Sequence, residues 1–212
     1  WNHRINPYIF SGGFIMKKIV CFIMVAFISL HAQTLNVVEN EFIKIVTGPE
    51  GIDYPRFSIE TTGGDPSRDQ DDNLPLIYGR PKPWTSFTSI AIDNTVYGFG
   101  NPTKKRSGKT AKYGKVIASS ITKEKTVVIA TLGGIKATQT LSLFRNPLTN
   151  VKDSVLIEYR LINETNSTKN IGLRIMMDTM LGKNDAAPFR IGNDSVISET
   201  VYTGSKIMDY WQ

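Results

Sequence analysis

From Glu41 onward, apolar and polar residues alternate with a period of two almost everywhere. An extended chain sends successive side chains to opposite faces, so this alternation describes strands with one face in a core. Phe42 to Val46 and Arg56 to Thr61 read as strands, ended by Thr47-Gly48-Pro49 and Gly63-Gly64. Residues 63–83 read as loop, with a short strand at Leu76 to Tyr78. Trp84 to Ile92 and Thr95 to Phe99 read as strands joined at Asp93-Asn94, a tight-turn pair. Lys115 to Ile121, Thr126 to Leu132 and Ile135 to Phe144 form a meander, turning at Thr122 to Lys125 and at Gly133-Gly134. The clearest pair follows. Val155, Ile157, Tyr159 and Leu161 alternate with more polar neighbours, and so do Ile171, Leu173, Ile175 and Met177. A polar loop from Asn163 to Lys169 joins them, and a last strand is expected from Val196 to Tyr202. Helical periodicity over three turns occurs nowhere after residue 32.

Many short strands with almost no helix predict an all-β fold, an antiparallel β-sandwich, with a closed barrel as the alternative. No fixed-period repeat interrupts it.

The first 32 residues have a different character. Met16-Lys17-Lys18, the apolar run Ile19 to Leu30 and the border His31-Ala32-Gln33 have the layout of a bacterial Sec-type signal peptide. The run is shorter than the ~20 residues a transmembrane helix needs. Residues 1–15 read as untranslated upstream sequence, 16–32 as the leader, and 33–212 as one β-sandwich domain in a secreted, periplasmic or extracellular protein. At the other end, Met208-Asp209-Tyr210-Trp211-Gln212 has the aromatic character of a structured element. The domain is therefore expected to be truncated at its C-terminus.

Loss of the leader changes the chemistry on offer. His3, His31 and Cys21, the only histidines and cysteine, all lie within residues 1–32, ahead of the expected mature chain. Disulfides, thiolate nucleophiles, Ser-His-Asp triads and His/Cys zinc sites are then excluded from the mature chain. A metal would be a hard cation held by oxygens, and Ca2+ is the candidate. Residues 1–32 carry three of the 25 Lys and Arg and none of the 19 Asp and Glu, so the net charge falls from +6 to +3. The basic group Lys104-Lys105-Arg106, Lys109, Lys112 and Lys115 reads as a solvated hairpin tip, and no nucleic-acid partner is expected.

Three places have residues that could do chemistry. Asp69-x-Asp71-x-Asn73 has the oxygen spacing that opens a calcium loop. Leu74 and Arg80 then stand where the EF-hand pattern needs glycine and glutamate. Arg80-Pro-Lys-Pro-Trp84 is an extended segment presenting an aromatic face of the kind that stacks on sugars. The alternative is that Trp84 anchors the loop in the core. Asp178 lies in the apolar stretch Leu173 to Leu181, with Asn184 and Asp185 in the loop beyond. Glycosidases place two carboxyls ~5–9.5 Å apart across a cleft, which makes Asp178 and Asp185 the candidate catalytic pair. Arg80, Trp84 and Asn184 form the candidate ligand-binding set. The structural alternative has Asp178 accepting N–H groups from Leu181 to Asn184, or pairing with Arg174 on the same face.

Phe57-Ser-Ile-Glu-Thr-Thr-Gly-Gly-Asp65-Pro, Pro83-Trp-Thr-Ser-Phe87 and Gly172 to Phe189 together resemble an uncharacterised family of secreted bacterial β-sandwich proteins. The long meander also resembles galactose-mutarotase-like sandwich domains. That resemblance implies architecture alone, because the histidines such mutarotases use are missing from the mature chain. The expected function is a binding or structural role outside the cell, with a glycan or cell-surface polymer as partner. A glycoside hydrolase using paired carboxylates and a purely adhesive module are the alternatives. The mature chain is expected to have no transmembrane segment.

Overall fold

The computed structural model describes residues 35–48, 55–63, 67, 69–79, 83, 85–100, 112–185, 188–191 and 193–207. All of them belong to one unit, Gln33–Gln212. Strands β1 (Asn36–Glu39), β2 (Ile43–Thr47), β3 (Phe57–Thr61) and β4 (Pro75–Ile77) pair antiparallel in chain order as a first sheet. Strands β5 (Phe87–Ile92) and β6 (Thr95–Gly98) open a second sheet, extended in parallel by the two-residue β7 (Lys112–Tyr113). The meander is the third: β8 (Lys115–Ile121), β9 (Lys125–Leu132), β10 (Ile135–Phe144) and β11 (Ser154–Asn163). Strand β12 (Ile171–Met176) returns to the second sheet beside β5. A small hairpin follows, β13 (Phe189–Ile191) with β14 (Asp194–Val196).

The long strands of the meander position everything else. Ten residues of β10 extend roughly 33 Å, enough to span two cores. At its first end, Ile135 and Ala137 join Val128, Ala130 and Leu132 of β9 against Ile90, Ile92 and Phe99 of the second-sheet region. At its far end, Leu141 and Leu143 pack on Val38, Ile43, Ile45, Phe57, Ile59 and Ile77 of the first sheet. Burying each such aliphatic side chain stabilises the fold by about 1.5–3 kcal/mol. The meander is thus one layer of a sandwich, and the first and second sheets together form the other.

Among the described residues, one segment pairs with both of those sheets. Beyond Met176 the chain leaves β5 and pairs with the outer edge of β4. Tyr78 donates its N–H to the carbonyl of Asp178 at 2.8 Å, and Met180 donates to Leu76 at 3.0 Å. A strand that changes sheet in this way makes the corner of a sandwich.

The described residues contain no α-helix, only short 3-10 turns at Asp69–Asp71 and Gly204–Lys206. The sheets keep open edges, so the sandwich holds and the barrel does not. The strand expected from Val196 to Tyr202 is corrected. Pairing ends at Val196, while Ile197 and Val201 stand exposed without a sheet to bury them. No helix among the described residues is long and apolar enough to cross a membrane.

Candidate functional site

The segment after β12 combines two local devices. Its N–H and carbonyl groups zip to β4, which fixes Met177 to Gly182 against the first sheet. A two-residue turn at Gly182-Lys183 then reverses the chain. Leu181 and Asn184 exchange both backbone hydrogen bonds, at 3.0 and 2.9 Å. Gly182 sits at φ 63°, which a two-residue hairpin of this hand requires and which glycine adopts without steric cost.

This geometry creates a cleft of about 620 Å3. One wall is Ile43, Ile59, Leu76 and Ile77 of the first sheet, and the facing wall is Val155 and Ile157 of β11. Met177, Met180, Leu181, Pro188 and Phe189 complete its described lining. Among the described residues, Ser154 and Thr179 are the polar members of the lining and none of its side chains is ionisable. The volume is that of a small-molecule site, and the lining is branched aliphatic, thioether and aromatic.

Asp178 sits between Met177 and Thr179, half-buried, yet it does not line this cleft. Its backbone is fully committed: the carbonyl accepts from Tyr78, and the N–H donates to Ser86 Oγ at 2.9 Å. Its carboxylate makes no hydrogen bond or ion pair with another described residue. The expected partners are engaged elsewhere. The N–H groups of Met180, Leu181, Gly182 and Asn184 all donate to backbone carbonyls, those of Leu76, Asn184, Pro75 and Leu181. Arg174 is exposed on the stretch paired with β5, and the change of sheets after Met176 breaks the alternation that would have aligned it with Asp178. Asp185 is exposed just past the turn. The two acids expected as a catalytic pair therefore do not flank the cleft. Asn184 contributes its backbone to the turn.

Arg80 and Trp84 lie outside the described residues. Of the described residues near them in the chain, Pro83 and Ser86 are fully buried. A Cβ on Gly79 would stand 2.4 Å from Ser58 Cβ, so Gly79 is in tight contact with the outer face of β3.

The acidic loop makes a tight turn at Asp69–Asp71. Asp69 and Asp71 occupy a 3-10 turn, where three residues complete a turn, so side chains two apart diverge. The carbonyl of Asp71 accepts from Thr61 Oγ1 at 2.5 Å, and Asn73, at φ 53°, donates its N–H to Thr62. The loop borders an open hollow of about 560 Å3 lined by Ser67, Asp69, Gln70 and Asp71. Among the described residues, no group of three or more His, Cys, Asp or Glu is placed to hold a metal ion.

A polar cluster joins the two cores. Tyr159 OH accepts from Gln139 Nε2 and shares a hydrogen bond with Thr88 Oγ1, both at 2.5 Å. Burial pushes the Tyr159 phenol above its ordinary value, and the bonds to Thr88 and Gln139 partly offset that. The signal was in the sequence: Gln139 interrupts the inward series Ile135, Ala137, Leu141, Leu143. No family model, curated protein or solved structure matches this chain.

Proposed function

We propose that this protein is an exported β-sandwich with a binding role, and that its ligand is an apolar group received by the cleft between the first sheet and β11. The single observation that carries this is the lining: a cleft of about 620 Å3 walled by aliphatic, Met and Phe side chains, with Ser154 and Thr179 as the polar members among the described residues. Such a surface favours an acyl chain or an apolar ring over a hydroxyl-rich sugar. A glycan needs exposed aromatic faces, and Phe144 is the exposed aromatic among the described residues. The leader-like Met16 to Ala32 supports export.

The test is a fluorescence titration with an environment-sensitive naphthalene dye, competed by medium-chain fatty acids. Met180→Lys puts an ammonium in the cleft lining while its methylene stem keeps packing. The dye should bind the parent and lose affinity by about tenfold or more in the variant, since one such change costs at least ~1.4 kcal/mol in an apolar site. Absence of dye binding, or equal binding to both proteins, sinks the proposal. Retention on a polysaccharide column without dye binding would favour the glycan.

A further inference from the structure

The meander sheet has two edges, and they differ. Its β8 edge starts at Lys115, is bulged between Val116 and Ala118, and runs into a turn containing Lys123. Lysines and bulges are devices that keep an edge from recruiting another strand. Its β11 edge has neither. Ser154–Asn163 pairs with β10 in unbroken register over ten residues and contains no proline, lysine or glycine. Among the described residues, β11 pairs with β10 alone.

The direction of the free groups follows from one bond. Glu164 donates its N–H to Gly134, in the same register as the ladder, so the even residues of β11 bond to β10. The odd residues, Val155, Ile157, Tyr159, Leu161 and Asn163, turn their N–H and carbonyl groups to the open edge. Those edge-facing groups are spaced to match a second antiparallel strand.

The outward side chains have a specific order. Leu156, Glu158, Arg160 and Ile162 alternate along the solvent face, and no ion pair among the described residues engages Glu158 or Arg160. Turned about a two-fold axis through Tyr159, this series matches itself. Glu158 meets Arg160, Arg160 meets Glu158, and Leu156 meets Ile162. These are non-hydrogen-bonded positions, where opposed Cα atoms approach to about 4.5 Å and side chains interact most closely.

The second layer is also uncovered on this side. Ile171 and Leu173 of β12 pair with Ile92 and Ile90 and so face the core, yet they remain 38% and 43% exposed. Inward-facing aliphatics with this exposure mark a sandwich that is open at the edge formed by β11 and β12.

We propose that β11 is a self-recognition edge: a second copy of this chain pairs its β11 antiparallel about Tyr159, joining two four-stranded meanders into one continuous eight-stranded sheet. The interface is isologous, as a two-fold dimer requires. It is independent of what the apolar cleft binds.

Sedimentation velocity on the chain produced with its own leader should show a dimer. Glu158→Arg sets like charges opposite each other at two symmetric positions and should weaken the dimer by about tenfold or more. Glu158→Arg with Arg160→Glu restores complementarity and should restore the dimer. The register has a sharper test. Glu158→Cys with Arg160→Cys places thiols across the two-fold within disulfide reach, so oxidation should yield a covalent dimer. Either cysteine alone has no partner and should not crosslink; Cys21 lies in the leader, and the single variants control for any chain that retains it. A monomer at all concentrations overturns the proposal. So does a dimer indifferent to charge reversal, or crosslinking by a single variant as efficient as by the double.

Discussion

Tyr159 has consequences out of proportion to its one hydroxyl. That group is the meeting point of Gln139 and Thr88, midway between two apolar cores. Tyr159→Phe leaves a buried amide and a buried hydroxyl short of a partner, a loss of about 1–3 kcal/mol. Thermal melts of parent and variant at neutral pH would measure it, and an unchanged melt would show the cluster to be dispensable. The same residue sets an alkaline limit. Its folded pKa lies above the ordinary 10.0, so its contribution is present below that value and lost as pH rises through the folded pKa. Phenolate absorbance should show one tyrosine titrating late, together with unfolding, and that phase should vanish in Tyr159→Phe. The acid limit has the opposite sign. The Asn170 N–H and Lys169 hold Asp93 below 3.8; burial pushes Asp153 up, but bonds from Thr149, Ser154 and Asn146 outweigh it. Both contribute stability above the ordinary aspartate range that is lost as pH falls through their folded values. Asp153→Asn should lower the melting temperature at pH 6 and flatten its fall toward pH 2.

At the scale of elements, alternation was enough where a strand buries one face. Expected and observed limits coincide for Ile135–Phe144, where turn residues bound a run whose inward positions meet a core, and for Lys115–Ile121, a largely exposed run of which Val116 packs on one. Periodicity cannot report a change of partner. Residues Leu173 to Met180 read as one apolar stretch, yet the chain pairs with β5 up to Met176 and with β4 beyond it. That switch takes Asp178 out of register with Arg174 and leaves it off the cleft wall. The cleft was illegible for the same reason: its walls come from β2, β3, β4 and β11, distant in sequence, and each residue looks like ordinary core. Short elements also escaped, since Asn36–Glu39 and Phe189–Ile191 are too brief to establish a period. Close approach is the other thing sequence hides. Gly79 reads as a loop glycine, but a methyl there would meet Ser58 Cβ at 2.4 Å and Oγ at 2.8 Å. Gly79→Ala should therefore destabilise by about 1–3 kcal/mol through overpacking. A denaturant midpoint equal to the parent's would contradict the contact.

At the scale of the whole molecule, two cores share two strands. Ile135 and Ala137 belong to one core and Leu141 and Leu143 to the other, all on the single strand β10. Strand β11 does the same, with Tyr159 and Leu161 on one core and Val155 and Ile157 on the other. Melting either core alone would leave half of each strand with its inward face in water, while the other half stayed paired. The segment from Thr179 to Gly182 adds a second tie, because it descends from the second sheet and bonds to the first. Unfolding is therefore expected to be one cooperative transition, with the calorimetric and van't Hoff enthalpies equal. Ile90→Val loosens one core and Ile45→Val the other, each by about 0.5–1.5 kcal/mol. Both residues are fully buried, so neither change is absorbed at the surface. Each variant should move the same single transition downward, and the double variant should move it by the sum, since the sites share no partner. Two resolvable transitions, one shifted by Ile90→Val and the other by Ile45→Val, would show that the shared strands do not couple the cores.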